Sequence, residues 1–231
     1  MAAPIAAHAS AAAADAGAVK GVVTPYAEPL PAAPPAAGIA DSAVAGILLA
    51  AGRGSRFDPT GERYKLLQAL PNGDPVVVAS ARALLAAVPR VIAVVRTEDA
   101  VTANLLRGLG CEVVACANAG DGMAASLVCG VQHARDANGW LIALADMPYV
   151  RPATMAVLAS AIGANSAAIA APVHRGQRGN PVAFGCAHLQ DLLALAGDQG
   201  ARGILKNNPV NELTVDDPGI LQDIDTPSDI Q

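Results

Sequence analysis

Three basic side chains near the start of the ordered-looking sequence, Arg53, Arg56 and Lys65, and one acidic side chain far along it, Asp146, have types and settings that could do chemistry. The arginines lie in Gly46–Phe57, GILLAAGRGSRF, where an apolar run ends abruptly in Gly52, Arg53, Gly54, Ser55 and Arg56. Backbone N–H groups of a glycine-rich turn, two guanidinium forks and the Lys65 point charge together make a polyphosphate cradle. A solvated basic loop is the competing reading of these residues taken alone. As a dinucleotide fingerprint the stretch matches G-x-G-x-x, but Phe57 stands where close helix–strand packing needs a small residue. Asp58-Pro59-Thr60-Gly61 is also turn chemistry, so no helix follows directly.

Asp146 comes straight after the apolar run Leu141–Ala145. If that run is a strand, the carboxylate sits at its carboxyl end, where it could hold Mg²⁺ together with phosphate oxygens and water. A helix N-cap for the segment after Pro148 is the alternative. Asp223 and Asp225 form a second acidic pair, in a D-I-D alternation that puts both on one face of a short strand. One of them completes a metal site, or the pair caps a turn. His133, His174 and His188 occur in no arrangement with Ser or Cys that suggests a triad.

These side chains need elements to position them. Strands are expected at Gly46–Ala50, Val91–Val95, Glu112–Ala115, Leu141–Ala145 and Ala167–Ala171, from short β-branched runs. Helices are expected at Val76–Ala87, Ala100–Leu109, Met123–Ala134 and Pro152–Ile162. Such alternation implies right-handed crossovers and a mainly parallel sheet covered on both faces, a Rossmann-like three-layer α/β/α sandwich. Ligands of such sheets bind outside the carboxyl ends of the strands, so the loops at 51–65, 120–123 and 146–148 should meet. Further on, a strand ending near Phe184, two helices, a short strand before Asp223 and a final helix capped by Thr226 are expected.

Composition sets the class. The 231 residues are 53% hydrophobic but only 3% aromatic, so the core must be built from Ala, Val, Leu and Ile. A net charge of −5 without any dense Lys/Arg run argues against a nucleic-acid groove or an anionic membrane surface, and favours a small-molecule partner. No window reaches the roughly 18 apolar residues of a membrane span. The four cysteines show no CxxC spacing and read as small buried hydrophobes in a reducing cytoplasm. Residues 1–42 are an Ala/Pro-rich stretch without sustained period, expected to be a flexible leader to a domain spanning 43–231.

Six segments then carry a resemblance. LLAAGRGSRF…KLL, GMAASLVCGV, ALADMPYV, RGNPVAF, GDQGAR and DIDTPSD, in this order, resemble the nucleotidyltransferases of molybdenum-cofactor biosynthesis. The likeness is nearest to the molybdenum cofactor cytidylyltransferases, with the guanylyltransferases close by. It implies that Leu49, Ala50, Ala51, Gly52, Arg53, Gly54, Ser55 and Arg56 form the nucleotide-binding signature, with Arg56 and Lys65 on the triphosphate and the α-phosphate. Gly122, Met123 and Ser126 would line base and ribose, Asp146 and Asp225 would bind Mg²⁺, and Arg178, Asn180 and Asp198 would face the pterin. The implied small partners are CTP or GTP and a molybdopterin-type substrate; a molybdenum hydroxylase or its insertion chaperone is the implied protein partner. Ala50-Ala51, where guanylyl-specific relatives tend to have Ala-Gly, favours cytidine. The chain departs from the family in Phe57-Asp58, in the insertion Pro59 to Tyr64 before the lysine, and in Asn180, where histidine is common.

The expected reaction is in-line attack by the terminal phosphate of molybdopterin on the α-phosphorus of CTP, with catalytic roles for Arg56, Lys65 and Asp146. Guanylyl transfer, transfer to another small phosphorylated acceptor, an NAD-dependent oxidoreductase and a non-catalytic cofactor carrier stay open at this point.

Overall fold

A computed structural model describes residues 43–230 except Ser55, Pro59, Gly61, Glu62 and Gln199. The expected leader and the Ser55 contact lie outside the described residues. Among the described residues eight strands form one mixed sheet: β1 Ala45–Leu49, β2 Arg90–Arg96, β3 Glu112–Cys116, β4 Gly139–Leu144, β5 Ile169–His174, β6 Gln177–Arg178, β7 Val182–Gly185 and β8 Asn211–Thr214. The order runs β3-β2-β1-β4-β7-β5-β6, with β8 paired to β5. β1 is parallel to both β2 and β4, and β2 to β3; β7 runs antiparallel between β4 and β5.

Among the described residues six helices cover the sheet: α1 Val76–Leu85, α2 Ala100–Gly108, α3 Met123–His133, α4 Pro152–Gly163, α5 Leu189–Leu193 and α6 Arg202–Asn207. Successive side chains of β1 point to opposite faces, and this alternation builds two cores. Leu48 enters one with Leu84 of α1, Leu106 of α2 and Leu158 of α4. Ile47 enters the other with Leu127 of α3, Leu192 of α5 and Ile204 of α6. Burying each such branched aliphatic side chain contributes about 1.5–3 kcal/mol. Caps set several boundaries: Asp99 accepts the Thr102 N–H at 3.0 Å to start α2, and Pro152 opens α4. The described cysteines are all free thiols, and burial pushes Cys111 up to about 11. Among the described residues no helix is long and apolar enough to cross a membrane.

The first five strands and four helices form within about two or three residues of their expected positions. The C-terminal part differs. β8, with its exposed, polar NELT sequence, lies earlier than the expected short strand, and a 3-10 turn at Pro218–Leu221 precedes Asp223. The expected last helix is a single 3-10 turn, Pro227–Asp229, although Thr226 and Asp229 do form a capping box. So short a segment lacks the length at which helix propagation outweighs nucleation.

Asp217 ties this C-terminal part to the start of α4. Its carboxylate is buried and accepts hydrogen bonds from Arg151 N (2.9 Å), Thr154 Oγ1 (2.7 Å) and Gly219 N (3.0 Å). Asp217→Ala orphans all three donors, and is expected to cost about 3 kcal/mol, a fall in Tm of about 6–12 °C. Denaturant unfolding followed by circular dichroism checks this; a loss below about 1 kcal/mol would mean that the carboxylate is not the anchor.

Candidate active site

The sheet reverses its winding at β1, since β2 and β3 extend to one side and β4 to the other. That switch point is where open α/β sheets bind ligands. Leu49 and Leu144 are register partners at the carboxyl ends of β1 and β4, and both line a cavity of about 370 Å³. The chain leaving β1 supplies Ala51, Gly52 and Arg53 to one wall. Gly122, Met123 and Ser126, at the start of α3, supply another, together with Asp146 and Asp198. Gly120, in the loop 120–123 expected to reach the site, also lines it, and so does Ala119, which sequence reasoning missed because its side chain carries no chemistry.

Two glycines are dictated by this packing. Gly54 has φ +64° and lies so close that a Cβ would meet Lys65 Cβ at 3.3 Å. Gly122 has φ +117°, and a Cβ there would lie 2.3 Å from Asp198 Oδ1. Both positions therefore favour glycine on conformation as well as space. The Gly197 carbonyl accepts the Ala124 N–H at 3.1 Å, which seats the 197–198 loop on the first turn of α3.

The described residues on either side of the insertion before Lys65 are held in place. Phe57, 4% exposed, and the half-buried Tyr64 anchor its two ends in the core. Between them the Asp58 carboxylate accepts from Thr60 Oγ1 (2.7 Å), Thr60 N (2.9 Å) and Arg63 N (2.7 Å). The Thr60 hydroxyl first, then these amides, hold the Asp58 carboxyl below its usual range. Arg63 lies over the Phe57 ring, 5.9 Å from its centre.

Lys65 is only 9% exposed, and its Nζ lies 2.7 Å from Asp146 Oδ2 and 3.6 Å from Asp225 Oδ1. Arg56, with its side chain 79% exposed, pairs with the other oxygen of Asp225. Asp225 arrives from the C-terminal segment through two constraints. The Ile224 N–H donates to the Asp146 carbonyl at 2.8 Å, and the Asp229 carboxylate accepts the Asp225 N–H at 3.0 Å. Asp223 does not share this face in a strand; it lines a separate surface cavity with Tyr149 and Asp229.

Arg56, Lys65, Asp146 and Asp225 therefore meet, beside a cavity lined by Leu49, Ala51, Gly52, Arg53, Gly122, Met123, Ser126 and Asp198. Ala50 is fully buried. Asn180 lines a neighbouring smaller cavity, and Arg178 lines neither, its guanidinium being forked onto Glu212 of β8. The donor set fits a divalent cation: two carboxylates already converge on one positive charge. Among the described residues no group of three or more His, Cys, Asp or Glu could hold a metal, so other ligands would be phosphate oxygens and water, the habit of Mg²⁺.

Residues 46–213 match the MobA-like NTP transferase domain family. Among solved structures, a nucleotidyl transferase from Methanothermobacter thermautotrophicus is 26% identical, with a TM-score of 0.70 over 81% of this chain and 94% of that one. Rv0371c from Mycobacterium tuberculosis is also 26% identical, with a TM-score of 0.67 over 82% and 96%, and has been solved in complex with manganese. Molybdopterin-guanine dinucleotide biosynthesis protein A from Archaeoglobus fulgidus shares the fold at 19% identity, with a TM-score of 0.60 over 81% and 95%. No curated protein matches the chain significantly.

Lys65 lies against the carboxylates that would bind the cation, so Lys65→Met should raise Mn²⁺ affinity in the absence of nucleotide by at least about tenfold. Titration of free Mn²⁺ by electron paramagnetic resonance reads this directly; weaker binding in the variant would mean that the carboxylates do not form the metal site.

Proposed function

The chain belongs to the MobA-like NTP transferase family and is a nucleotidyltransferase of that type, and from this premise we propose that it transfers CMP from CTP to the terminal phosphate of molybdopterin in the molybdenum cofactor, using Mg²⁺. The observation that carries the reading is the meeting of Lys65, Asp146 and Asp225 beside the β1/β4 cavity. The resemblance of the six segments to cytidylyltransferases supplies the acceptor. Ala51, 6% exposed on the cavity wall, supports the donor: a methyl group in place of a glycine hydrogen narrows the wall, and a pyrimidine needs less room than a purine.

The acceptor is a phosphate monoester with a second pKa of about 6, so at neutral pH it is already a dianion and needs no histidine base. One of its oxygens attacks the α-phosphorus in line, the bond from that phosphorus to the α–β bridging oxygen breaks, and pyrophosphate leaves with the electron pair. Lys65, buried and short of water, neutralises negative charge on the α-phosphate oxygens as it builds. Arg53 on the cavity wall and the exposed Arg56, free to turn from Asp225, hold the departing phosphates. Mg²⁺, held by Asp146 and Asp225, would supply further charge neutralisation and fix the phosphate geometry. The manganese complex of Rv0371c supports a divalent site of this kind.

Incubation with molybdenum cofactor, Mg²⁺ and either CTP or GTP, followed by mass spectrometry, tests the assignment. A cytidylated pterin is expected, formed at least about tenfold faster than any guanylylated product, the scale of discrimination one pocket contact provides. Preferential guanylylation would reverse the donor, and no nucleotidylated pterin would remove the acceptor. Lys65→Ala should lower kcat by about 100-fold or more with an unchanged circular dichroism spectrum. Full activity in that variant would sink the mechanism.

A further inference from the structure

The loop between α5 and α6 lies across the first turn of α3 and is tied there at two points. The Gly197 carbonyl accepts the Ala124 N–H at 3.1 Å, and Gly200 packs so closely on Met123 that a Cβ would meet its Sδ at 3.0 Å. Asp198 stands between these two anchors. Its Oδ1 is seated against Gly122, where a Cβ would lie 2.3 Å away, and it lines the β1/β4 cavity. The side chain is exposed and makes no ion pair or hydrogen bond with the other described residues. A backbone carbonyl and a glycine hold the loop, so its seating does not depend on the carboxylate.

An unpaired carboxylate on the wall of a cavity that takes a polyanion calls for a partner. An ionised carboxylate only accepts hydrogen bonds, and it repels phosphates, so the part of the nucleotide opposite it must be a donor. Position narrows the choice. On the same wall the Arg53 guanidinium lies against Gly120, where a Cβ would meet Nη2 at 3.4 Å, two residues from the Gly122 that seats Asp198. Two residues span at most about 7 Å. The arginine proposed for the phosphates and the free carboxylate are therefore neighbours, and the part of a nucleotide next to its phosphates is the ribose, whose hydroxyls donate. We propose that Asp198 accepts the ribose hydroxyls of the bound nucleotide and so selects ribonucleotides over deoxyribonucleotides. This puts Asp198 on the nucleotide, where the resemblance alone turned it toward the pterin. The proposal rests on the nucleotidyltransferase reading for its ligand but not on the identity of the acceptor.

Isothermal titration in the presence of Mg²⁺ compares CTP and GTP with their 2′-deoxy and 3′-deoxy forms. Whichever base binds better, loss of at least one of the two hydroxyls should weaken binding to the wild-type protein about tenfold or more, the scale of a hydrogen bond to a charged group. Asp198→Ala should lose about as much affinity for the ribonucleotide, and Asp198→Asn less, while both bind the deoxy forms within about twofold of wild type and keep its circular dichroism spectrum. A displaced loop would weaken ribonucleotide and deoxyribonucleotide alike, so the ratio of the two affinities separates contact from packing. Equal affinity for all three sugars in the wild type, or sugar discrimination that survives Asp198→Ala, overturns the proposal. So does an Asp198→Ala variant that binds every nucleotide like the wild type and shows only a raised acceptor KM, since the carboxylate would then face the acceptor. Sugar discrimination that vanishes in Asp198→Ala, in a protein that forms no nucleotidylated pterin, would remove the acceptor proposed above and leave Asp198 in its role. A wild type that binds no nucleotide overturns both.

Discussion

Two carboxylates held side by side in a partly water-excluded cleft repel each other, and the arrangement persists only with a cation between them. In this molecule the cation is Lys65, within 2.7 Å of Asp146 and 3.6 Å of Asp225, with Arg56 closing the outer side. The pieces come from three distant parts of the sequence, and much of the local architecture holds them together. The insertion anchored by Phe57 and Tyr64 brings the chain back to the lysine. Strand β4 carries one carboxylate to the edge of the sheet, and a single backbone hydrogen bond from Ile224 to the Asp146 carbonyl brings the other alongside.

The balance of two positive and two negative groups also shapes what can enter. In the proposed reaction a metal–triphosphate complex would bring both signs of charge at once: Asp146 and Asp225 would hold its cation, and Lys65 and Arg56 would turn to its phosphates. A bare metal ion must compete with Lys65, and a bare triphosphate must draw Lys65 and Arg56 away from acidic partners. Exchange of partners, with every charge still compensated, is the economical route in a site of low dielectric.

How much of this was legible in the sequence follows from the range of the interactions. The parallel core was readable because β1 to β5 and α1 to α4 have strong local periodicity, and the Leu141–Ala145 run alone placed Asp146 at a strand end. The residue types of Gly52–Arg56 pointed to a phosphate cradle, and Gly52 and Arg53 do line the β1/β4 cavity. The irregular C-terminal part was not readable in the same way. Residues 222–225 form no strand, and their path is set by the buried Asp217 carboxylate and by contacts to the loop after β4, neither of which leaves a periodic trace. Asp225 was found through its resemblance and its acidity, whereas Asp223 looked equivalent and faces elsewhere. Arg178 stood in a suggestive motif, yet Glu212, 34 positions away, holds it.

The hydrogen bond from Ile224 to Asp146 has a consequence for synthesis. Chains emerge from the ribosome N-terminus first, and local parts of a domain can begin to fold before later ones appear. A nascent chain would therefore own the β1/β4 cleft, its glycine turn and the Lys65–Asp146 pair while Asp225 was still inside the exit tunnel. Until the C-terminal segment docks, the Lys65 ammonium has one carboxylate beside it where the finished protein has two, so the order of translation separates forming the cavity from completing the charge cluster at its edge.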